Sequence, residues 1–167
     1  MPRTTTEIKS GDVPQAPNLA RIRCVVTAIA GGAATNEQIA EETDFSVRHI
    51  GYAARAAQTL GLLDADREPT ELGRALIETE QESAEERDVL RRSVEQSAIL
   101  RVIAPTLLSP KPPTKRVLAA RIERSSGLSK ATSEHRASDL LSWREQILEE
   151  PEAAPAPPAE SDPAEPG

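Results

Sequence analysis

The sequence predicts a mainly helical protein, and the composition of its core is the first reason. Only Phe45, Tyr52 and Trp143 are aromatic among 167 residues, yet 38% of the chain is hydrophobic. The core must therefore be built from Leu, Ile, Val and Ala, and Ala and Leu enter helices more readily than sheets. No segment alternates apolar and polar residues as a β-sandwich or β-barrel requires. The third reason is a series of helix caps that precede apolar residues at helical spacing.

Two helices are predicted near the start of the chain. Apolar residues recur at intervals of three and four over residues 19–29, Asn18 precedes them as an N-cap, and a pair of glycines follows them. Thr35 then stands three residues before Gln38, which is the spacing of a capping box. These signals predict one amphipathic helix that begins after Asn18 and a short second helix that ends at about Thr43.

A third helix follows a three-residue turn over residues 44–46, with Ser46 as its N-cap. One side of this helix is predicted to face the core and carries Val47, Ile50, Ala54, Ala57 and Gly61. The other side is basic and polar and carries Arg48, His49, Tyr52, Arg55 and Thr59. Two short helices joined by a tight turn are typical of a helix-turn-helix, whose second helix can lie in the major groove of DNA.

A short hairpin and a fourth helix are predicted next. Residues 60–64 leave the third helix and become extended, residues 64–69 form a polar tip, and Thr70 caps a helix that bears Leu76 and Ile77. Three helices, one short β-hairpin wing and a further helix are the element order of a winged helix. We therefore predict a winged helix-turn-helix over residues 18–82.

The second half of the chain repeats the pattern of a helix-turn-helix. A long helix is predicted over residues 85–104 and is ended by Pro105. Thr114 caps the next helix, a turn around Gly127 follows, and Ser129 caps a last helix to about Leu148. The inward side of that helix is predicted to carry Ala137, Leu140, Ile147 and either Trp143 or Arg144. Its outward side is predicted to carry Lys130, Ser133, His135, Arg136 and Asp139, with Thr132 at the border. We predict a second helix-turn-helix module over residues 83–150.

Charge is distributed unevenly along the chain. The net charge is −7, but residues 149–167 hold six acids, six prolines and no base. Residues 101–148 hold nine bases and four acids, whereas residues 71–88 hold seven acids and two bases. We expect residues 151–167 to be a disordered acidic tail that acts as a tether or, alternatively, as an internal mimic of nucleic-acid charge. Residues 1–17, which contain three prolines, are expected to form a flexible arm.

Several classes of function are excluded by what the sequence lacks. A single cysteine cannot form an internal disulfide, and the two histidines stand far apart without metal-ligand spacing. No phosphate-binding glycine loop is present, so we predict no enzymatic activity, no cofactor and no metal site. No run approaches the roughly 18 apolar residues of a membrane span, and residues 1–9 lack the apolar segment of a signal peptide. We therefore expect a cytoplasmic protein.

Two groups of residues carry a resemblance to a known family. The first group is Ile39, Ala40, Phe45, Arg48, Tyr52, Ala56, Ala57, Leu60-Gly61-Leu62 and Thr70-Glu71-Leu72-Gly73. The second group is Thr132, Arg136, Ala137, Ser138, Leu140, Ser142 and Trp143. Together they resemble a tandem winged-helix module found with bacterial type II restriction endonucleases and with ATPases of phage defence, although Gly51 and His135 depart from its pattern. The resemblance implies DNA binding without nuclease residues in this chain.

The sequence thus predicts a non-enzymatic protein that binds double-stranded DNA. The candidate contacts are Arg48, His49, Tyr52 and Arg55 in the first module and Lys130, Thr132, Ser133 and Arg136 in the second. A transcription regulator and a DNA-reading accessory of a restriction or defence system, with a nuclease or ATPase as its partner, both remain open. The alternative is a winged-helix adaptor for protein–protein interaction, because residues 18–69 carry five bases and seven acids. The helix over residues 85–104 could pair in a homodimer or pack between the modules.

Overall fold

The computed structural model describes residues 8–148, and these form eight α-helices with no strand among them. The prediction of a mainly helical protein is confirmed. A single 3-10 turn, Ser10–Asp12, precedes the first helix. The helices are α1 (Leu19–Ala30), α2 (Asn36–Thr43), α3 (Val47–Thr59), α4 (Glu71–Glu78), α5 (Ala84–Gln96), α6 (Ala98–Ile103), α7 (Lys115–Ser126) and α8 (Lys130–Leu148).

The predicted caps begin the helices of the first half. Asn18 accepts a hydrogen bond from the Arg21 N–H, and Thr35 forms the complete capping box with Gln38. Ser46 and Thr70 each accept the N–H three residues further on, at the starts of α3 and α4. Each cap satisfies a backbone donor that has no partner inside its helix. The positions of these helices were therefore readable from the sequence.

The prediction of one long helix over residues 85–104 is wrong in one respect. The chain is helical on both sides of Ser97 but breaks there into α5 and α6. Ser97 has an extended backbone, with ψ at 121°, and its hydroxyl accepts the Leu100 N–H at 3.2 Å. A serine side chain that bonds to the nearby backbone offers an alternative to continuing the helix. The break turns Leu100 and Ile103 into the core, where both are buried.

The segment between α3 and α4 is a tight reversal of the chain. Leu63 and Pro69 form one isolated antiparallel bridge, and the Thr70 N–H donates to the Leu62 carbonyl at 3.0 Å. The tip is closed by Asp64, whose carboxylate accepts two backbone N–H groups of the turn at 2.9 Å each. One isolated bridge therefore stands where a β-hairpin wing was predicted, and no strand forms there.

The two halves of the chain share one core. Helices α1, α3 and α4 pack together, α7 packs along α8, and α5 contacts both α4 and α8. Trp143 is 0% exposed, and the buried residues Val89, Leu90 and Val94 of α5 belong to the same hydrophobic cluster. Of the two alternatives for the helix over residues 85–104, these contacts favour packing between the modules.

Residues 8–17, which we call the strap, lie between α3 and α8. Val13 and Ala16 are buried, and the Trp143 indole N–H donates to the Ala16 carbonyl at 2.7 Å. On the other side, the Thr59 hydroxyl donates to the Asp12 carbonyl at 3.1 Å. This differs from the flexible arm expected over residues 1–17, because a buried indole N–H needs an acceptor and the strap supplies it. Residues 1–7 and the predicted acidic tail, 151–167, lie outside the described residues.

Candidate nucleic-acid interface

The first group of candidate contacts lies on the outward side of α3. Arg48, His49 and Arg55 are exposed and Tyr52 is half-buried, whereas Ile50 and the alanines of the opposite side are buried. Val47 and Gly61 were predicted to face inward, but both are exposed, Val47 at 42%. Val47 is the first residue of α3, and Gly61 lies beyond its last residue with φ at 74°, in a conformation that is no longer helical.

Arg48 is held by its neighbour one turn along the helix. Its Nε donates to the Tyr52 hydroxyl at 2.7 Å, and its guanidinium carbon lies 5.6 Å from the centre of the Tyr52 ring. This hydrogen bond raises the pKa of Arg48, whose guanidinium is a cation in any case. No carboxylate within residues 8–148 forms an ion pair with it. The other guanidinium N–H groups are therefore available to a phosphate or a base edge.

Arg55, unlike Arg48, forms an ion pair with the strap. Its guanidinium lies 3.2 Å from the Asp12 carboxylate, and the two side chains are 57% and 30% exposed. An ion pair this exposed contributes little free energy in water. A phosphate could therefore replace the Asp12 carboxylate at low cost.

The second group of candidate contacts, on α8, is only partly on the surface. Lys130 is exposed and Thr132 is half-buried, with the Ser129 hydroxyl donating to the Thr132 hydroxyl at 3.0 Å. Ser133 is 0% exposed and Asp139 is 9% exposed, so the prediction that both face outward is wrong. Ser133 stands four residues before the buried Ala137 and shares its side of the helix. That spacing was the signal in the sequence that could have identified Ser133 as a core residue.

Arg136 joins the two groups. One of its terminal nitrogens donates to the Val13 carbonyl of the strap at 3.1 Å. Burial lowers the pKa of its guanidinium, and the nearby Asp139 carboxylate and Tyr52 phenol partly offset that effect. The strap also accepts the hydrogen bond of Thr59 on α3, so it links this part of α8 to α3.

Arg21 is a candidate that sequence reasoning missed. It lies on α1, with its guanidinium carbon 4.7 Å from the centre of the Phe45 ring, and it lines one pocket with His49 and Tyr52. The apolar spacing that predicts α1 shows only which side of the helix faces the core. It therefore gave no reason to choose Arg21 as a contact residue. We call Arg21, Arg48, His49, Tyr52, Arg55 and Arg136 together the basic face.

A cluster of acidic side chains lies on α4 and α5, outside the basic face. An open groove of about 730 Å³ between α4 and α5 is lined by Glu78, Glu80, Glu85 and Asp88, with Arg92 as the only base in its lining. The acidic residues 71–88 of the sequence thus contribute to this groove, whereas Arg136 is the member of the basic face that comes from the basic residues 101–148. Such polarity affects which partners approach and from which side.

Two further features of the described residues concern metal binding and membrane spanning. Within residues 8–148, no group of His, Cys, Asp and Glu side chains is placed to hold a metal ion. No helix there combines the length and apolar character needed to cross a bilayer.

The chain matches no protein-family model, no curated protein and no solved structure. The resemblance to a tandem winged-helix module therefore depends on the residues that carry it.

Proposed function

We propose that the protein binds double-stranded DNA through the basic face, with α3 lying in the major groove. The observation that carries this proposal is the outward side of α3, where Arg48 is exposed and unpaired with any carboxylate of residues 8–148. Helix α3 has 13 residues, so it is about 20 Å long and, with its side chains, about 10–12 Å across, and the major groove is about 12 Å wide. Such a helix fits the groove and leaves its ends beside the flanking phosphates.

The arrangement around α3 supports a winged helix-turn-helix. Helix α2 leads through the three-residue turn into α3, and the reversal over residues 62–70 leads back into α4. The tip of that reversal carries Asp64, Asp66 and Glu68. Three carboxylates beside a single arginine, Arg67, would repel phosphates, so we assign the DNA contact to α3 and not to this reversal.

The second module contributes Arg136 and, one turn earlier, Thr132. Both residues are half-buried, and Arg136 donates to the Val13 carbonyl of the strap, which also bonds to α3. A duplex on α3 would therefore meet a cation from each half of the chain. Lys130 is exposed near the start of α8, but no contact joins it to the basic face. In this proposal the protein is a transcription regulator or the DNA-reading accessory of a defence system, and it has no catalytic residues.

A pair of arginine variants tests the proposal. The affinity of the full chain for a fluorescent random-sequence duplex is measured by anisotropy at several salt concentrations. Each phosphate contact lowers log K by about 0.9 per unit of log salt. We expect Arg48→Ala to weaken binding about tenfold, or about 1.4 kcal/mol.

Arg74→Ala is the matched control, because Arg74 is an exposed arginine on α4 outside the basic face. This variant removes the same charge and should bind the duplex like the unmodified protein. Equal losses from both variants, or an affinity that does not change with salt, would contradict the proposal.

An adaptor for another protein is the second candidate, and the acidic groove between α4 and α5 favours it. A groove lined by four carboxylates would suit a basic partner peptide. This function predicts no duplex binding at low salt. It also predicts that Glu85→Gln together with Asp88→Asn weakens partner binding, whereas Arg48→Ala does not.

A further inference from the structure

A small pocket opens where the strap passes between α1 and α3. Its volume is about 220 Å³, and the side chains that matter in its lining are Gln15, Asn18, Arg21, His49 and Tyr52. Sites for drug-sized ligands start at about 300 Å³. This pocket is smaller, so it suits one small chemical group.

The charge of the pocket is positive. Arg21 is a cation in its lining, and no aspartate or glutamate lines it. No carboxylate of residues 8–148 forms an ion pair with Arg21. The Phe45 ring, 4.7 Å from the guanidinium carbon, holds the cation in place without neutralising it. A positioned cation without a counter-charge favours an anion.

The polar groups beside Arg21 can donate hydrogen bonds. The Tyr52 oxygen accepts the Arg48 Nε–H, and its own proton has no acceptor within residues 8–148. The Ser46 hydroxyl accepts the backbone N–H of His49 and lies 2.9 Å from Nδ1, so it can donate a hydrogen bond to Nδ1. In that tautomer the ring proton is on Nε2, which is then a donor. The Gln15 amide adds two further N–H groups. Several donors around one cation match the oxygens of a phosphate.

We propose that this pocket binds a single phosphate group, supplied either by the backbone of a nucleic acid or by a free phosphate or phosphate ester. The site goes beyond the proposed function, because a phosphate can occupy it whether or not a duplex lies on α3. If the phosphate is that of DNA, the pocket fixes the register of α3 in the groove.

The test is an NMR titration of the full chain with inorganic phosphate, at an ionic strength held constant with chloride. We expect saturable shifts of the amide signals over residues 15–21 and 46–52. Arg21→Gln should raise the dissociation constant at least tenfold, and Arg74→Gln should leave it unchanged. Tyr52→Phe keeps the ring and removes only the hydroxyl, and it should raise the constant about fivefold. Shifts that do not saturate, or that are the same in Arg21→Gln, would overturn the proposal.

A second titration distinguishes the two sources of the phosphate. If the pocket holds a backbone phosphate, Arg21→Gln lowers the salt slope of duplex binding by about one. If Arg21→Gln leaves that slope unchanged while the unmodified chain binds inorganic phosphate, the ligand of the pocket is a free phosphate or phosphate ester. A chain that binds phosphate but no duplex would refute the proposed function and leave the phosphate site standing.

Discussion

At the scale of single residues, Arg23 has a buried guanidinium that joins the two halves of the chain. It lies 2.6 Å from the Glu86 carboxylate, and both side chains are largely buried. It also donates to the hydroxyl and the carbonyl of Thr79 at 2.9 and 2.6 Å. These partners lie 56 and 63 positions further along the chain, so no local spacing in the sequence could have paired them.

Removing Arg23 should destabilise the protein strongly. We expect Arg23→Ala to lower the free energy of unfolding by about 3–5 kcal/mol, because Glu86 would be left buried without its counter-charge. The measurement is urea denaturation. Arg92→Ala is the control, since Arg92 pairs with Asp88 at 3.4 Å on the exposed side of α5 and such a pair contributes below about 0.5 kcal/mol. Similar losses in the two variants would show that the Arg23 cluster is not the link between the halves.

Asp139 should make stability depend on pH. Burial raises the pKa of its carboxyl, and His135 and Arg136 partly offset that effect. The folded protein then binds the proton more tightly than the unfolded chain does. Ionisation of Asp139 therefore lowers the free energy of unfolding as pH rises from the unfolded-state pKa through the folded-state pKa, and the loss persists at higher pH. Asp139→Asn should therefore raise the melting temperature at about pH 7, and the gain should vanish below about pH 3, where the carboxyl is protonated in both states.

Glu145→Gln controls for the loss of one negative charge, because Glu145 is exposed on the same helix. It should change the melting temperature little at either pH. An Asp139→Asn gain that persists in acid would mean that the variant stabilises the protein by some means other than the loss of a buried charge.

At the scale of elements, two glycines in helices have opposite roles. A Cβ on Gly73 of α4 would overlap the Leu62 carbonyl oxygen, because the helix backbone packs directly on the segment after α3. A Cβ on Gly51 of α3 would meet only the Asn36 amide nitrogen at 3.6 Å, an ordinary contact. One glycine is required by close packing and the other is not.

Alanine at these two positions should therefore shift stability in opposite directions. We expect Gly51→Ala to raise the free energy of unfolding by about 0.5–1 kcal/mol, because alanine favours the helix. Gly73→Ala should lower it by about 1–3 kcal/mol, since α4 must move away from Leu62. Thermal unfolding followed by circular dichroism compares the two variants. A stabilising Gly73→Ala would refute the direct contact between α4 and the segment after α3.

The elements that the sequence predicted well are those with local signals. The caps at Asn18, Thr35, Ser46 and Thr70 identify four helices, because each cap bonds within three residues of itself. The strap was not predicted, since its partners on α3 and α8 are 47 and 127 positions away. The break at Ser97 had a local signal in the serine, but the apolar spacing on both sides of it favoured one continuous helix.

At the scale of the whole molecule, one surface carries residues from both predicted modules. The α3 contacts were predicted as a group, and the structure keeps Arg48, His49, Tyr52 and Arg55 on one side of the helix. Their link to Arg136 through the strap was not predictable, because it depends on hydrogen bonds between residues far apart in the sequence. The acidic groove between α4 and α5 lies on other elements than the basic face.

The central claim is that this basic face meets a duplex, and an NMR titration of the full chain with a short random-sequence duplex tests it most directly. The account predicts that amide signals shift over residues 12–21, 46–55 and 132–136, while those of residues 74–92 do not move. Shifts concentrated in residues 74–92, or no shifts at low salt, would contradict it.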